Sequence, residues 1–132
     1  MTYALDSNII SYIIRKNNEV MNRFKEIVDN GFEYNIPPMV YYEVKRWLTA
    51  KNATAQLALF DNLCRSTNNI VMDNRSWNKA VEIYAMLVKS GNIIGDGDIL
   101  IASYCIVNDY TLVTNNTKDF ERIPDLEIEN WV

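Results

Sequence analysis

The chain holds 132 residues, 48% of them apolar and 23% charged, with only 4 glycines and 3 prolines, a composition that suits one globular domain and excludes fibrous, low-complexity or disordered chains. A balance of 13 basic against 17 acidic residues leaves a net charge of −4, without the basic footprint usual in nucleic-acid binders. There is no histidine, which removes Ser-His-Asp triads, Cys-His pairs, histidine-ligated zinc and imidazole bases together.

In chain order, Thr2 to Leu5 reads as a short buried strand that ends at Asp6. Ile9, Ile10, Ile13 and Ile14 then recur at helical spacing. Val20, Phe24, Ile27 and Val28 place a second helix over Glu19 to Asn30, with Asn30-Gly31 as its stop. Glu33 to Ile36 is the next strand, and Pro37-Pro38 opens a helix carrying Val40, Glu43, Val44, Trp47 and Leu48, since proline fits a first helical turn. Ala53 to Cys64 is helical and Asn69 to Met72 a short strand. Asp73 or Asn74 caps a long helix through Val88, whose apolar face is Trp77, Val81, Tyr84, Ala85 and Val88, and Gly91 stops it. Gly97 to Val107 is apolar nearly throughout, the mark of a buried helix. Thr111 to Thr114 is a strand, Lys118 to Phe120 a helical turn, and Leu126 to Glu129 a last strand.

Short strands alternating with helices predict a mainly parallel sheet covered on both faces, with its functional cleft beyond the carboxyl ends of the strands. No repeat, linker or charge block interrupts the pattern, so residues 1–132 read as one domain. Cys64 and Cys105 can neither staple a disulfide framework nor complete a four-ligand zinc site, and both read as small buried hydrophobes. The opening Met1 to Asp6 lacks the basic flank and apolar core of a secretory leader. No apolar stretch approaches the roughly 20 residues that cross a bilayer. The expectation is a cytoplasmic protein without a membrane partner.

Chemistry, in the absence of histidine, must come from other groups, and four carboxylates occupy suggestive places. Asp6 follows the first strand, Glu43 lies early in the helix after the second, Asp98 falls in the first turn of the buried helix, and Asp119 follows the strand Thr111 to Thr114. Each alone is explained as a helix cap or dipole partner. Together they are harder to explain, because two carboxylates about 4 Å apart repel by roughly 4 kcal/mol at an effective dielectric near 20. Such a group needs a proton or a cation among its members. Oxygen-only ligation selects a hard ion, Mg²⁺ or Mn²⁺, and a metal-activated water is the nucleophile such a set can generate. Setting these four acids aside leaves 13 basic and 13 acidic residues. The acidic excess equals the size of the proposed site and does not exclude a phosphodiester substrate.

Leu5-Asp6-Ser7-Asn8, the Glu43 helix, Gly95-Asp96-Gly97-Asp98-Ile99-Leu100-Ile101-Ala102, Leu112-Val113-Thr114-Asn115-Asn116 with Asp119-Phe120, and the ending Ile128-Glu129-Asn130-Trp131 resemble the PIN-domain family, and more narrowly its VapC toxins of bacterial toxin–antitoxin pairs. The resemblance covers essentially the whole chain in the family's order. It implies a three-layer α/β/α fold with a mainly parallel central sheet of four to five strands. It also implies a Mg²⁺- or Mn²⁺-dependent endoribonuclease that cuts tRNA or other structured RNA and stops translation. Asp6, Glu43, Asp98 and Asp119 match the family's acidic positions as catalytic residues and metal ligands, and Asn8, Thr114 and Asn116 match its supporting polar residues. Ser7 replaces the more usual threonine and keeps its hydroxyl. Asp96 and Asp98, two apart, face different ways on a helix; the pattern D-x-L-I-A selects Asp98 and leaves Asp96 as a cap or supporting group. A cognate antitoxin near the cleft and a homodimer are likewise implied by the resemblance alone.

Among lesser candidates, Trp47 and Trp77 fall on apolar helical faces and read as core or dimer packing, whereas Tyr41-Tyr42 is the better aromatic for the cleft rim. Lys45-Arg46 and Lys51 form the local basic group nearest the site, as RNA contacts or as a solvated helix face. Two rival readings stand. A receiver-type Mg²⁺-binding signalling domain would want paired acids after the first strand, where this chain has D-S-N, and a mid-chain phosphoacceptor, for which Asp73 is the candidate. A catalytically silent PIN-like binding module would have no reason to keep four mutually repelling acids.

Overall fold

The computed structural model describes residues 1–67 and 71–132. Its strands are β1 (Thr2–Leu5), β2 (Glu33–Asn35), β3 (Thr111–Val113) and β4 (Ile128–Glu129). They form a four-stranded sheet in the order β2-β1-β3-β4, parallel throughout. The helices are α1 (Ser7–Ile14), α2 (Asn18–Asp29), α3 (Pro38–Ala50), α4 (Thr54–Arg65), α5 (Asn74–Ser90), α6 (Asp96–Asn108) and the single turn α7 (Thr117–Phe120). They flank the sheet in the three-layer α/β/α arrangement expected from the sequence.

Parallel strands buried on both faces must be apolar on both faces, and β1 buries Tyr3, Ala4 and Leu5 in succession. Val20 and Ile27 of α2, Val40, Val44 and Leu48 of α3, and Phe60 of α4 join the same core. Local chemistry sets the helix ends. The Asp6 carboxylate accepts from the backbone N–H of Ser7 at 2.7 Å, Asn17 caps α2 and Asp73 caps α5. Gly91 ends α5 in the left-handed region at φ 72°, where a side chain would be strained.

Several expectations are corrected. The stripe Trp77, Val81, Tyr84, Val88 on α5 is exposed, and the helix buries Ser76, Ala80, Ile83 and Leu87 instead. Trp47 also stands half out of the core, with 48% of its surface exposed. Cys105 is buried, whereas Cys64 is only half-buried; burial still pushes its thiol up to about 11, which leaves it unreactive at neutral pH. Val71 and Met72, expected to end a strand, have no regular structure, and the start of that segment lies outside the described residues. No described helix is long and apolar enough to cross a membrane.

Phe60 is wholly buried and packs its ring against Tyr41, centroids 5.8 Å apart. Phe60→Ala therefore lowers stability by about 3–5 kcal/mol. The measurement is a urea titration in which the midpoint falls and the slope is unchanged.

Candidate active site

The parallel register sets Leu5 beside Val113, so the residues that follow each strand, Asp6 and Thr114, emerge side by side at the carboxyl edge of the sheet. The backbone N–H of Asp6 donates to the Val113 carbonyl at 2.9 Å, and that of Thr114 to the Glu129 carbonyl at 2.9 Å. Asp6 is almost wholly buried, yet well served: Thr114 Oγ1 donates to its Oδ2 at 2.7 Å and Asn8 Nδ2 at 3.3 Å, beside the Ser7 N–H on Oδ1. Burial raises its pKa above the ordinary value, and the bonds from Thr114, Ser7 and Asn8 pull in the opposite direction.

Asparagines extend this scaffold. Asn8 Oδ1 accepts from the Asn115 N–H at 3.0 Å, and Thr114 Oγ1 accepts from the Asn116 N–H at 3.0 Å. The Asn116 amide then spans two further acids, donating to Asp98 Oδ2 at 3.4 Å and to Asp119 Oδ2 at 3.3 Å. Asp98 comes from the first turn of α6 and Asp119 from α7, where Arg122 approaches it at 3.8 Å. Burial, then the negative charges of Asp6 and Asp119, push Asp98 up to about 6.

Glu43 reaches the same place from α3. Its pKa is raised by burial and by the charges of Asp6 and Asp98, and eased by Arg46. Its Oε1 is buried with no hydrogen-bond partner, and its Oε2 lies where a Cβ on Gly97 would be 3.6 Å away. Gly97 of α6 thus passes next to Glu43 and Met39 of α3, at a distance where a Cβ would make ordinary contact. The structure brings Asp6, Glu43, Asp98 and Asp119 into one electrostatic neighbourhood, with Ser7, Asn8, Thr114 and Asn116 as hydrogen-bonding support. It does not bring Asp96 in: that residue is exposed, and the α6 cap position belongs to Gly95.

A divalent cation suits the chemistry of this set, which is all oxygen, mutually repelling, and has one buried oxygen left unserved. The acids have not closed into a cage; among the described residues no three of them form a ready-made metal-binding group. Like charges without a counter-ion keep such carboxylates apart.

Beside the acids, a groove of about 390 Å³ runs between α1, α3 and α4, lined by Ser7, Asn8 and Glu43 from the site and by Arg15, Arg46 and Trp47 beyond it. Tyr42, the aromatic the sequence suggested for the rim, is exposed and lies under Arg46, but is not itself among the groove's lining residues. Arg15 was missed there; its only signal is its place seven residues after Asn8, on the same side of α1.

A family model for the PIN domain matches residues 3–126. The chain is 33% identical to Ribonuclease VapC2 of Rickettsia felis, over 99% of this chain and 98% of that one. It is 26% identical to the tRNA(fMet)-specific endonuclease VapC of Shigella flexneri, with 99% and 98% covered. The crystal structure of VapBC2 from Rickettsia felis bound to a DNA fragment from their promoter superposes with a TM-score of 0.91 at 31% identity, covering all of both chains. The chain belongs to the PIN-domain family, and within it to the VapC proteins.

The raised pKa of Asp98 has a consequence for stability. Between its ordinary value of 3.8 and about 6, the folded chain holds a proton that the unfolded chain has released. The stability this group contributes is therefore greatest at low pH and is lost as the pH rises through about 6. In chelator at neutral pH, Asp98→Asn raises the Tm by roughly 3–5 °C. The difference from wild type closes as the pH is lowered, which thermal melts across a pH series will read.

Proposed function

We propose that this chain is a Mg²⁺- or Mn²⁺-dependent endoribonuclease, the toxin of a toxin–antitoxin pair, hydrolysing phosphodiesters of tRNA or another structured RNA and so halting translation. One observation carries the reading: four acids from four separate segments converge at the sheet edge of a PIN-domain chain, with a buried Glu43 oxygen left without a partner. The names of the relatives support RNA as substrate, and the Shigella flexneri relative supports tRNA. Metal dependence rests on the donor set.

In this reading Asp6 and Asp98 hold the ion, with Glu43 and Asp119 completing its surroundings. The bound ion supplies charge neutralisation, polarisation of a phosphoryl oxygen and a lowered pKa for water. The chain's own residues do the rest. Thr114, Ser7 and Asn8 fix the Asp6 carboxylate in a single orientation. Asn116 keeps Asp98 and Asp119 in reach of each other without adding charge. Glu43, made more basic by burial and by its acidic neighbours, accepts a proton from the attacking water. Attack by water on phosphorus does not use the ribose hydroxyl as nucleophile. In this reading the P–O3′ bond breaks as the new P–O bond forms, O3′ leaves and takes a proton from solvent, and the products carry a 5′-phosphate and a 3′-hydroxyl. The receiver-type reading loses its phosphoacceptor, since Asp73 caps α5 and is held by Arg75 at 3.2 Å.

Purified protein cleaves tRNA in Mg²⁺ or Mn²⁺ and stops in chelator. Asp6→Asn and Asp98→Asn each lose at least about 100-fold. A product ending in a 2′,3′-cyclic phosphate overturns the mechanism.

The partners follow the same reading: an antitoxin over or near the cleft, and a second copy of this chain. The α5 stripe Trp77, Val81, Tyr84, Val88 supports the second, with exposures of 49%, 69%, 50% and 44%. Aromatic residues are enriched in interfaces, and one stripe on a straight helix pairs with itself about a twofold axis. Oppositely charged Lys79 and Glu82, themselves paired at 3.1 Å, flank it. Light scattering should find a dimer that Val81→Asp converts to monomer with the Tm nearly unchanged.

A further inference from the structure

An acidic centre in a chain of net charge −4 repels a polyanion, so an RNA strand needs positive charge at the mouth of the cleft. Arg15, from the end of α1, and Arg46, from α3, both line the groove that also takes in Glu43, Ser7 and Asn8. Arg15 follows the last turn of α1. Its guanidinium carbon lies 5.2 Å from the centroid of the Tyr12 ring, and its Nε donates to the Ser11 carbonyl at 3.4 Å. Arg46 is one turn along α3 from Glu43, with its guanidinium carbon 4.9 Å from the centroid of the exposed Tyr42 ring. Its charge reaches Glu43, whose raised pKa it partly offsets.

Neither arginine forms an ion pair among the described residues, whereas Arg23, Lys45, Arg75, Lys79 and Arg122 all do. A tyrosine face steadies a guanidinium without neutralising it and leaves its outer N–H groups free for an anion. Two such steadied cations lining one groove, neither held in an ion pair, suit phosphate oxygens.

We propose that Arg15 and Arg46 form a two-point phosphate clamp that grips the backbone of the RNA strand in the groove between α1 and α3 and leads it to the acids. Trp47, half exposed in the same groove, carries Lys51 Nζ over its ring, 3.9 Å from the centroid. The clamp rests on the RNA reading given above, and its test separates the two.

In the non-cleaving Asp98→Asn background, fluorescence anisotropy of a short labelled oligouridylate is followed over a salt series. Arg15→Gln and Arg46→Gln each weaken binding about tenfold and lower the salt-dependence slope by about 0.7, the value for one phosphate contact to a single strand. Lysine at either position restores the slope but not the full affinity. Arg75→Gln, on an ion-paired arginine of α5, changes neither. In the cleaving background the double Gln variant raises KM and leaves kcat in place. Unchanged affinity and slope in the double variant, or a fall in kcat with KM unchanged, overturns the clamp. So does a poly-glutamate peptide that binds more tightly than the RNA with the same arginine dependence, for the surface would then belong to an acidic protein partner. Arginine-dependent binding by a wild-type chain that cuts no RNA in either metal upholds the clamp and overturns the nuclease reading.

Discussion

The hydrogen bond from Thr114 Oγ1 to Asp6 Oδ2, 2.7 Å long, joins residues 108 positions apart and is set by the parallel pairing of β1 with β3. Leu5 beside Val113 puts the next residues of the two strands, Asp6 and Thr114, next to each other. A slip of one residue along the pair would turn Asp6 toward the opposite face of the sheet. The apolar run Tyr3, Ala4, Leu5 and its partners Leu112 and Val113, all buried, resist such a slip, because it would drive the pleat out of step with the helices on both sides. Core packing and site geometry are therefore one constraint.

Around that bond the electrostatics are deliberately unbalanced. Asp6 has its charge answered by hydrogen bonds, Asp119 by an amide and a distant guanidinium, Asp98 by the same amide alone, and Glu43 Oε1 by nothing. Outside the cleft, several carboxylates are instead spent in surface pairs such as Lys45 with Asp61 at 2.6 Å and Arg23 with Glu129 at 2.9 Å, which contribute little individually.

Much of this was legible in the residue order. Strand and helix positions follow from local periodicity and punctuation, and Pro37-Pro38, Asp73 and Gly91 mark the helix boundaries where they occur. The acids could be grouped because each lies at a strand end or an early helical turn, and a parallel sheet presents these to one edge. What escaped depends on packing between distant elements. On α5, two stripes compete, and the bulkier Trp77-Val81-Tyr84-Val88 looks the more hydrophobic. The helix turns its smaller Ser76, Ala80, Ile83 and Leu87 inward because α6 lies against it, and close approach favours small residues. Asp96 reads as a cap when the helix is placed from Gly97 onward; the helix begins one residue earlier, at Asp96, and Gly95 is the extended cap residue. Arg15 carries no local signature, since its neighbourhood is made by α3.

The long span of the Asp6 to Thr114 bond also bears on how the chain is born. Asp6 emerges from the ribosome well before its partner and Asp119, which follow more than 100 residues later. Loop closure over that distance must wait for β3 to be made. Until then α1 and α3 can fold beside β1 and β2 and α6 can bring Asp98, while Asp119 of α7 is still missing. A nascent chain thus carries a scaffold without its complete centre until Asp119 has been made.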